Sequence, residues 1–258
     1  TPRLYRTTVT PTNVKKYTIS AWVKSCDMDG NSMTLMTCES GTGYILFNAN
    51  EAIETYDTHP TYQLSQATSA AYRDPSAWMH IVWGVDTTQT GIDNISKIYV
   101  NGVRVTSFAT NATQANDGAT VVNQASITQN IGTLTDGSAY PLNGYIAQYS
   151  FIDGQQLTPS SFGEADEDSG IWKPIDVSDL TYGDNGFLLE FKNSAVGTGA
   201  SDTIGADTSG EDNHFTSTNV ATTNQTTDTP TNNFSTLNPL QASLPTNAIY
   251  QGLFEGNL

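Results

Sequence analysis

Basic residues are scarce in this chain of 258: Lys and Arg total 10 against 26 Asp and Glu, a formal net charge of −16. Binding to DNA or RNA needs Lys and Arg to displace counterions, so a nucleic-acid partner is excluded in this reading. An anionic membrane face is disfavoured by the same charge. No apolar run approaches the ~18–20 residues that a membrane-spanning helix requires, so membrane insertion is not expected. Cysteine is limited to Cys26 and Cys38. The pair could close one disulfide or act as two small buried apolar groups, and it does not make a disulfide-stapled scaffold. No CxxC or Cys/His cluster occurs, which argues against zinc. Helical periodicity is nearly absent as well. Its one candidate is a turn at Thr158–Glu164, with Thr158 as cap and Pro159 in the first position.

What fills the chain instead is alternation. In KYTISAWVK (Lys16–Lys24), Tyr17, Ile19, Ala21 and Val23 share one face, opposite Thr18, Ser20, Trp22 and Lys24. That period of two predicts a half-buried strand. MTLMT, YILFN, WMHIVWGVD (Trp78–Asp86), GYIAQYSFIDG (Gly144–Gly154) and FLLEFK (Phe187–Lys192) predict further strands. KIYVNGVRV (Lys97–Val105) predicts a hairpin, because Asn101-Gly102 suits a type I′ turn between two β-branched runs. Many short strands without crossover helices define an all-β fold, an antiparallel β-sandwich or jelly roll. After Lys192 the texture turns to Thr, Asn, Asp, Ser and Gly with single apolar residues. The expected division is a β domain over 1–192 and an extended connector or strap over 193–258, leading toward a further domain.

The order YTISAWVKS, WMHIVWGVD, KIYVNGVRV, LNGYIAQYSFIDGQQLTPSSFGE resembles a laminin-G/concanavalin-A-like jelly roll. The likeness is carried by the early sAWvk-type run, by Trp78 two residues before His80, by Ile98–Val103, and by Asp153–Glu164. It spans about residues 14 to 192. A second resemblance lies in the tail. Leu189–Phe191, Asp207–Phe215 and Thr227–Leu240 look like a segment of tailed-bacteriophage virion proteins, in which DxSGxxNxF precedes TDtPtnNFxtlNPl. That likeness implies a structural protein of the virion, in a fibre, tail appendage or capsid decoration. Its expected partners are other virion proteins, further copies of itself and a host-surface glycan. The alternative is a carbohydrate-binding or adhesion module of a secreted bacterial protein, at the cell surface or outside it.

Candidate sites are few. Glycoside hydrolases of this fold carry a carboxylate array on one strand, and retaining chemistry wants two carboxyls about 5–5.5 Å apart. EADED (Glu164–Asp168) is the nearest stretch, but it follows the helical turn and has Asp168 where the last Glu belongs. No catalytic residues are therefore assigned, and no enzyme activity is expected. In DMDGN, Asp27, Asp29 and Asn31 stand at i, i+2 and i+4, fitting either a calcium-binding turn or an ordinary Asx turn. Asp207, Asp212 and Asn213 offer a similar choice between a cation and a glycine turn. Glycan contact needs exposed aromatics near polar groups. Trp22, on the polar face of its strand, is a candidate unless a further layer covers it. Tyr72 and Tyr140 are candidates in loops, whereas Trp78, Trp83 and Trp172 are expected in the core. Phe234, Leu237 and Leu240 recur every third residue, which predicts that Thr222–Leu240 is a strap pinned at intervals on a neighbouring surface.

Overall fold

The computed structural model describes residues 1–26, 30–38, 41–59, 62–114, 117–134 and 139–233. Strands are numbered in chain order. An eight-stranded antiparallel sheet runs β10 (Phe108–Gln114), β6 (Tyr62–Thr68), β5 (Ile53–His59), β4 (Gly43–Phe47), β3 (Met33–Cys38), β11 (Thr128–Ile131), β1 (Arg3–Thr7), β16 (Thr216–Thr218). A six-stranded antiparallel sheet faces it, in the order β15 (Phe187–Leu189), β12 (Gly144–Asp153), β2 (Lys16–Ser25), β7 (Met79–Asp86), β8 (Ser96–Val100), β9 (Val103–Arg104). A short pair, β13 (Gly163–Ala165) and β14 (Trp172–Pro174), joins neither ladder and packs on the outer side of the six-stranded sheet.

Between the sheets sits the core that alternation predicted. Tyr17, Ile19, Ala21 and Val23 of β2 point inward with Ile81, Trp83 and Val85 of β7, against Met33, Ile45, Phe47, Ile53 and Leu64 of the larger sheet. An aromatic row crosses the six-stranded sheet. Tyr17 meets Trp83 edge-on at 5.2 Å and stacks on Phe151 at 5.8 Å; Phe151 stacks on Phe187 at 5.6 Å. Offset and edge-to-face pairs of this kind add about 1 kcal/mol each beyond burial. The row ends on Phe215, edge-on to Phe187 at 4.8 Å.

Phe215 therefore brings the chain after Lys192 into the sandwich. Its neighbours Thr216–Thr218 form an edge strand on β1, and Ile204 joins the same core. The sandwich thus continues past the expected division at residue 192, because single apolar residues in a polar stretch suffice when each enters an existing core. The DxSGxxNxF segment makes this entry. Asp207 accepts from the N–H groups of Leu188 (2.8 Å), Ser209 (2.9 Å) and Asn213 (2.8 Å), while Asn213 donates to the Gly186 carbonyl (2.7 Å). The Asp207 carboxylate thus organises the turn. At one end of the sandwich Asp153 plays a comparable part, accepting from Asn13 N–H (3.1 Å), Asn123 Nδ2 (2.6 Å) and Asn185 N–H (3.1 Å).

The hairpin at Asn101-Gly102 has φ 47° and 79°, the two positive values of a type I′ turn. The turn after Thr158 is a 3₁₀ turn over Pro159–Ser161, and the Thr158 hydroxyl pairs with Ser160 Oγ (2.9 Å) instead of capping it. Cys26 and Cys38 are thiols, not joined in a disulfide.

Candidate functional site

The outer face of the six-stranded sheet is closed. Trp22 of β2 stacks on His80 of β7 at 4.8 Å, and His80 stacks on Trp172 of β14 at 6.1 Å. Trp172 Nε1 donates to His80 Nδ1 (2.9 Å), so the imidazole proton resides on Nε2 and is directed at Ser20 Oγ (2.8 Å). Burial pushes the His80 imidazole down to about 3, so the ring is neutral at physiological pH. Beside this stack Val82, Ile152 and Leu188 of the sheet pack under Phe162, Val177 and Tyr182. These last three come from the stretch that follows β12.

A second cover comes from the tail. Lys24, fully buried, donates to Asp228 Oδ2 (2.8 Å) and to Asn233 Oδ1 (2.7 Å). Trp78 Nε1 donates to Asp228 Oδ1 (2.9 Å), and Asn233 Nδ2 donates to the Ser76 carbonyl (3.0 Å). Thr227–Asn233 thus latches onto the sheet through one buried ion pair. The strap expected over Thr222–Leu240 is seated on its own domain as far as Asn233. Phe234, Leu237 and Leu240 lie outside the described residues. Trp22 keeps the strand face that alternation gave it, but at 2% exposure it offers no ring to a ligand. Trp83 lies between the sheets and Trp78 is buried under the second cover, both as expected of core residues, whereas Trp172 is only partly buried and serves the first cover.

The outer face of the eight-stranded sheet carries a different surface. Tyr44 and Tyr56 are register partners on β4 and β5. Their partly buried rings stack at 5.4 Å with planes 22° apart. Between and behind them Glu54 accepts from the Tyr44 hydroxyl (2.8 Å) and from Asn48 Nδ2 (3.1 Å). Gln63 Nε2 donates to the Tyr56 hydroxyl (3.1 Å). Further along the same face the Arg3 guanidinium lies 4.8 Å from the Tyr5 ring centre and donates to Asn130 Oδ1 (3.0 Å).

The Tyr44 phenol is raised well above its ordinary value, first by burial, then by its bond to Glu54, then by charge on Glu54, Tyr56 and Tyr140. The backbone places Tyr140 in the neighbourhood of the pair, since its carbonyl binds Thr34 N–H and Thr34, Leu46 and Glu54 are successive register partners across β3, β4 and β5. Tyr140 is 47% exposed at φ 47°, and its carbonyl accepts from Thr34 N–H (3.0 Å), which anchors its loop to β3. With Asn31, Ser32, Met33 and Leu142 it lines a hollow of about 440 Å³. Asn31 and Tyr140, singled out for different reasons, thus share one hollow. Asp27 and Asp29, the other two residues of the proposed calcium turn, lie outside the described residues. Among the described residues no three His, Cys, Asp or Glu side chains gather as a metal site.

Tyr72 takes no part in this surface. It packs half-buried against the inter-sheet core, its N–H donating to the Glu51 carbonyl (2.8 Å). Glu164 lies on β13, in a strand where none was expected, and shares Lys173 (3.4 Å) with Asp166 (3.1 Å) on an exposed hairpin. Tyr44, Glu54 and Tyr56 were not singled out from sequence. The signal was present: in YILF and IETYDTH these residues alternate against Ile45, Phe47, Ile53 and Thr55. Apolar ring faces flanked by a carboxylate and amides can stack on a sugar ring and accept its hydroxyls.

This sandwich defines the class. A laminin-G-type family model matches residues 5–161, and the chain belongs to the concanavalin A-like lectin/glucanases superfamily. Among solved structures, a putative carbohydrate binding protein from Bacteroides ovatus aligns with a TM-score of 0.52 at 13% identity, over 84% of this chain and 58% of its own length. A native heptameric SAP-like pentraxin from Limulus polyphemus gives 0.42 at 16%, over 61% of this chain and 71% of that one. The Ruminococcus gnavus IT-sialidase CBM40 bound to α2,3-sialyllactose gives 0.40 at 14%, over 57% and 79%. These identities speak to fold. No curated protein matches the chain.

Proposed function

We propose that this chain is a non-enzymatic, glycan-recognising module of a tailed-bacteriophage virion surface, in a fibre, tail appendage or capsid decoration. The observation that carries the recognition is the Tyr44–Tyr56 pair with Glu54 on an open sheet face, while the opposite sheet is closed by its own chain. A fold shared with a protein described as putatively carbohydrate-binding makes sugars the first ligand class to test. A net charge of −16 with Glu54 in the site favours neutral or cationic glycans over acidic ones. The setting rests on the likeness of Asp207–Phe215 and Thr227–Leu240 to tailed-phage virion proteins, whose partners would be further copies and other virion proteins.

A glycan array probed with the wild-type chain, Tyr44→Ala and Tyr56→Ala tests the recognition. Binding should fall about tenfold in each variant, as expected for losing one stacked ring worth about 1.4 kcal/mol. Equal binding by all three would overturn it. Mass spectrometry and imaging of purified particles test the setting. Recovery only from a bacterial culture supernatant would favour the second reading, a secreted carbohydrate-binding or adhesion module.

A further inference from the structure

Lys24 meets more than a counter-charge. Its Nζ has two side-chain oxygens at hydrogen-bond distance, Asp228 Oδ2 (2.8 Å) and Asn233 Oδ1 (2.7 Å). A tight turn brings both from one short stretch. Thr229 and Asn232 bond to each other's backbone as an antiparallel bridge around Pro230 and Thr231. Asp228 and Asn233 are therefore the next pair out, with their side chains on one side. Asn232 Nδ2 fastens the turn on the Thr227 carbonyl (3.2 Å).

Each group is held in its orientation. Trp78 Nε1 donates to Asp228 Oδ1 (2.9 Å), which leaves Oδ2 for the lysine. Asn233 Nδ2 donates to the Ser76 carbonyl (3.0 Å), which turns Oδ1 toward Nζ. Tyr145, the register partner of Lys24 on β12, closes one side with its ring 6.4 Å from that of Trp78. Lys24 has no exposed surface, so its nitrogen is out of bulk water. A C=O bond is about 1.2 Å long, so the Asn233 carboxamide carbon stands within about 4 Å of Nζ.

We propose that this is a self-modifying site, at which Lys24 and Asn233 join in an isopeptide bond with Asp228 as the proton carrier. Asp228 takes one proton from the Lys24 ammonium along their 2.8 Å contact, leaving a neutral amine. The amine attacks Asn233 Cγ, and the Nζ–Cγ bond forms. Asp228 gives its proton to the departing Nδ2 and takes a second from Nζ, which keeps one as the amide N–H. The Cγ–Nδ2 bond breaks. The ammonia takes that second proton and leaves as ammonium from the exposed Asn233, and Asp228 is again a carboxylate. Nothing is oxidised or reduced. Holding the three groups together makes an otherwise very slow amide exchange intramolecular. The Lys24–Asp228 ion pair is the state before reaction, so folding comes first and the bond follows. The product ties the tail to β2, which lies between β12 and β7. A pull on the chain beyond Asn233 then loads the middle of a sheet instead of peeling the latch.

Mass spectrometry of the full chain, after incubating the folded protein at neutral pH, tests this. The wild type should lose the mass of one ammonia. Trypsin should leave Lys24 uncut and yield residues 17–73 joined to 193–258, since Lys192 is the last basic residue. Asn233→Ala, at an exposed position, removes the carbon that is attacked; it should keep its full mass and be cut after Lys24. Asp228→Asn should slow bond formation about a hundredfold or more. A wild-type chain of full mass that trypsin cuts after Lys24 would overturn the proposal. So would an ammonia loss that maps to a succinimide at Asn101-Gly102. Bond formation at the wild-type rate in Asp228→Asn would overturn the proton carrier.

Discussion

Replacing Asp228 by alanine should be among the costliest single changes in the chain. Lys24 is completely buried, and its ammonium meets Asp228 Oδ2 at 2.8 Å. Removing the carboxylate leaves that charge in a dry site, which costs about 3–5 kcal/mol in general. The lower end applies here, because Asn233 Oδ1 remains as an acceptor at 2.7 Å. Trp78 Nε1 loses its own acceptor, adding about 1 kcal/mol. The sum is about 4 kcal/mol, or a fall in Tm of roughly 12 °C for a domain of this size. Urea or thermal unfolding followed by tryptophan fluorescence measures it. The double variant Lys24→Met/Asp228→Leu removes both charges together and should recover most of the loss, since exchanging a buried pair for apolar groups is close to neutral. An Asp228→Ala protein within about 1 kcal/mol of wild type, or a double variant no better than the single, would refute the latch as a stabilising element.

Other consequences are open to measurement. Burial pushes the Asp57 carboxyl up to about 7, against the pull of Val121 N–H and the Tyr17 hydroxyl. Its contribution is therefore full below about pH 4 and fades as pH rises to 7, a loss of about 4 kcal/mol. His80, pushed down by burial to about 3, works the other way: its contribution is full above about pH 6.5 and fades as pH falls toward 3. The two slopes oppose each other between about pH 4 and 6.5. Unfolding free energy of Asp57→Asn should therefore climb with pH across that window relative to wild type, and a parallel profile would remove Asp57 as its cause. Gly102→Ala should lower Tm by several degrees. Its φ is 79°, and an added Cβ would lie 2.6 Å from Cζ3 of Trp172, a conflict worth about 2 kcal/mol or more. An unchanged Tm would mean that the β13–β14 flap does not press on that turn.

Alternation made the strands and inner core legible, because each inward residue of β2 and β7 sits where period two places it. In β12 a bulge at Gln148, φ 44°, breaks the period, so that Ile146 faces inward with Tyr149 and Phe151 while Tyr145 and Ala147 face out. The I′ turn was legible for the same local reason, two residues demanding positive φ. Covers were not. Trp22 lies on a polar-patterned face, and only contacts reaching 92 residues along the chain, from His80 to Trp172, or 204 along, from Lys24 to Asp228, show that the face is roofed. The boundary at residue 192 misled for a related reason: Phe215 is one aromatic in a polar stretch, yet it completes the aromatic row. The tyrosine surface lay between the two cases. Tyr44 and Tyr56 alternate visibly, but their pairing depends on the register of β4 against β5, which no local pattern supplies.

The central claim is that the open face of the eight-stranded sheet is where this module meets its ligand. Amide and side-chain NMR shifts, recorded while titrating in a glycan that scores on the array, test it most directly. Shifts concentrated at Tyr44, Glu54, Tyr56 and Tyr140, abolished in Tyr44→Ala, are the predicted result. Shifts confined to Trp172 and the flap, with Tyr44 and Tyr56 unmoved, would contradict it.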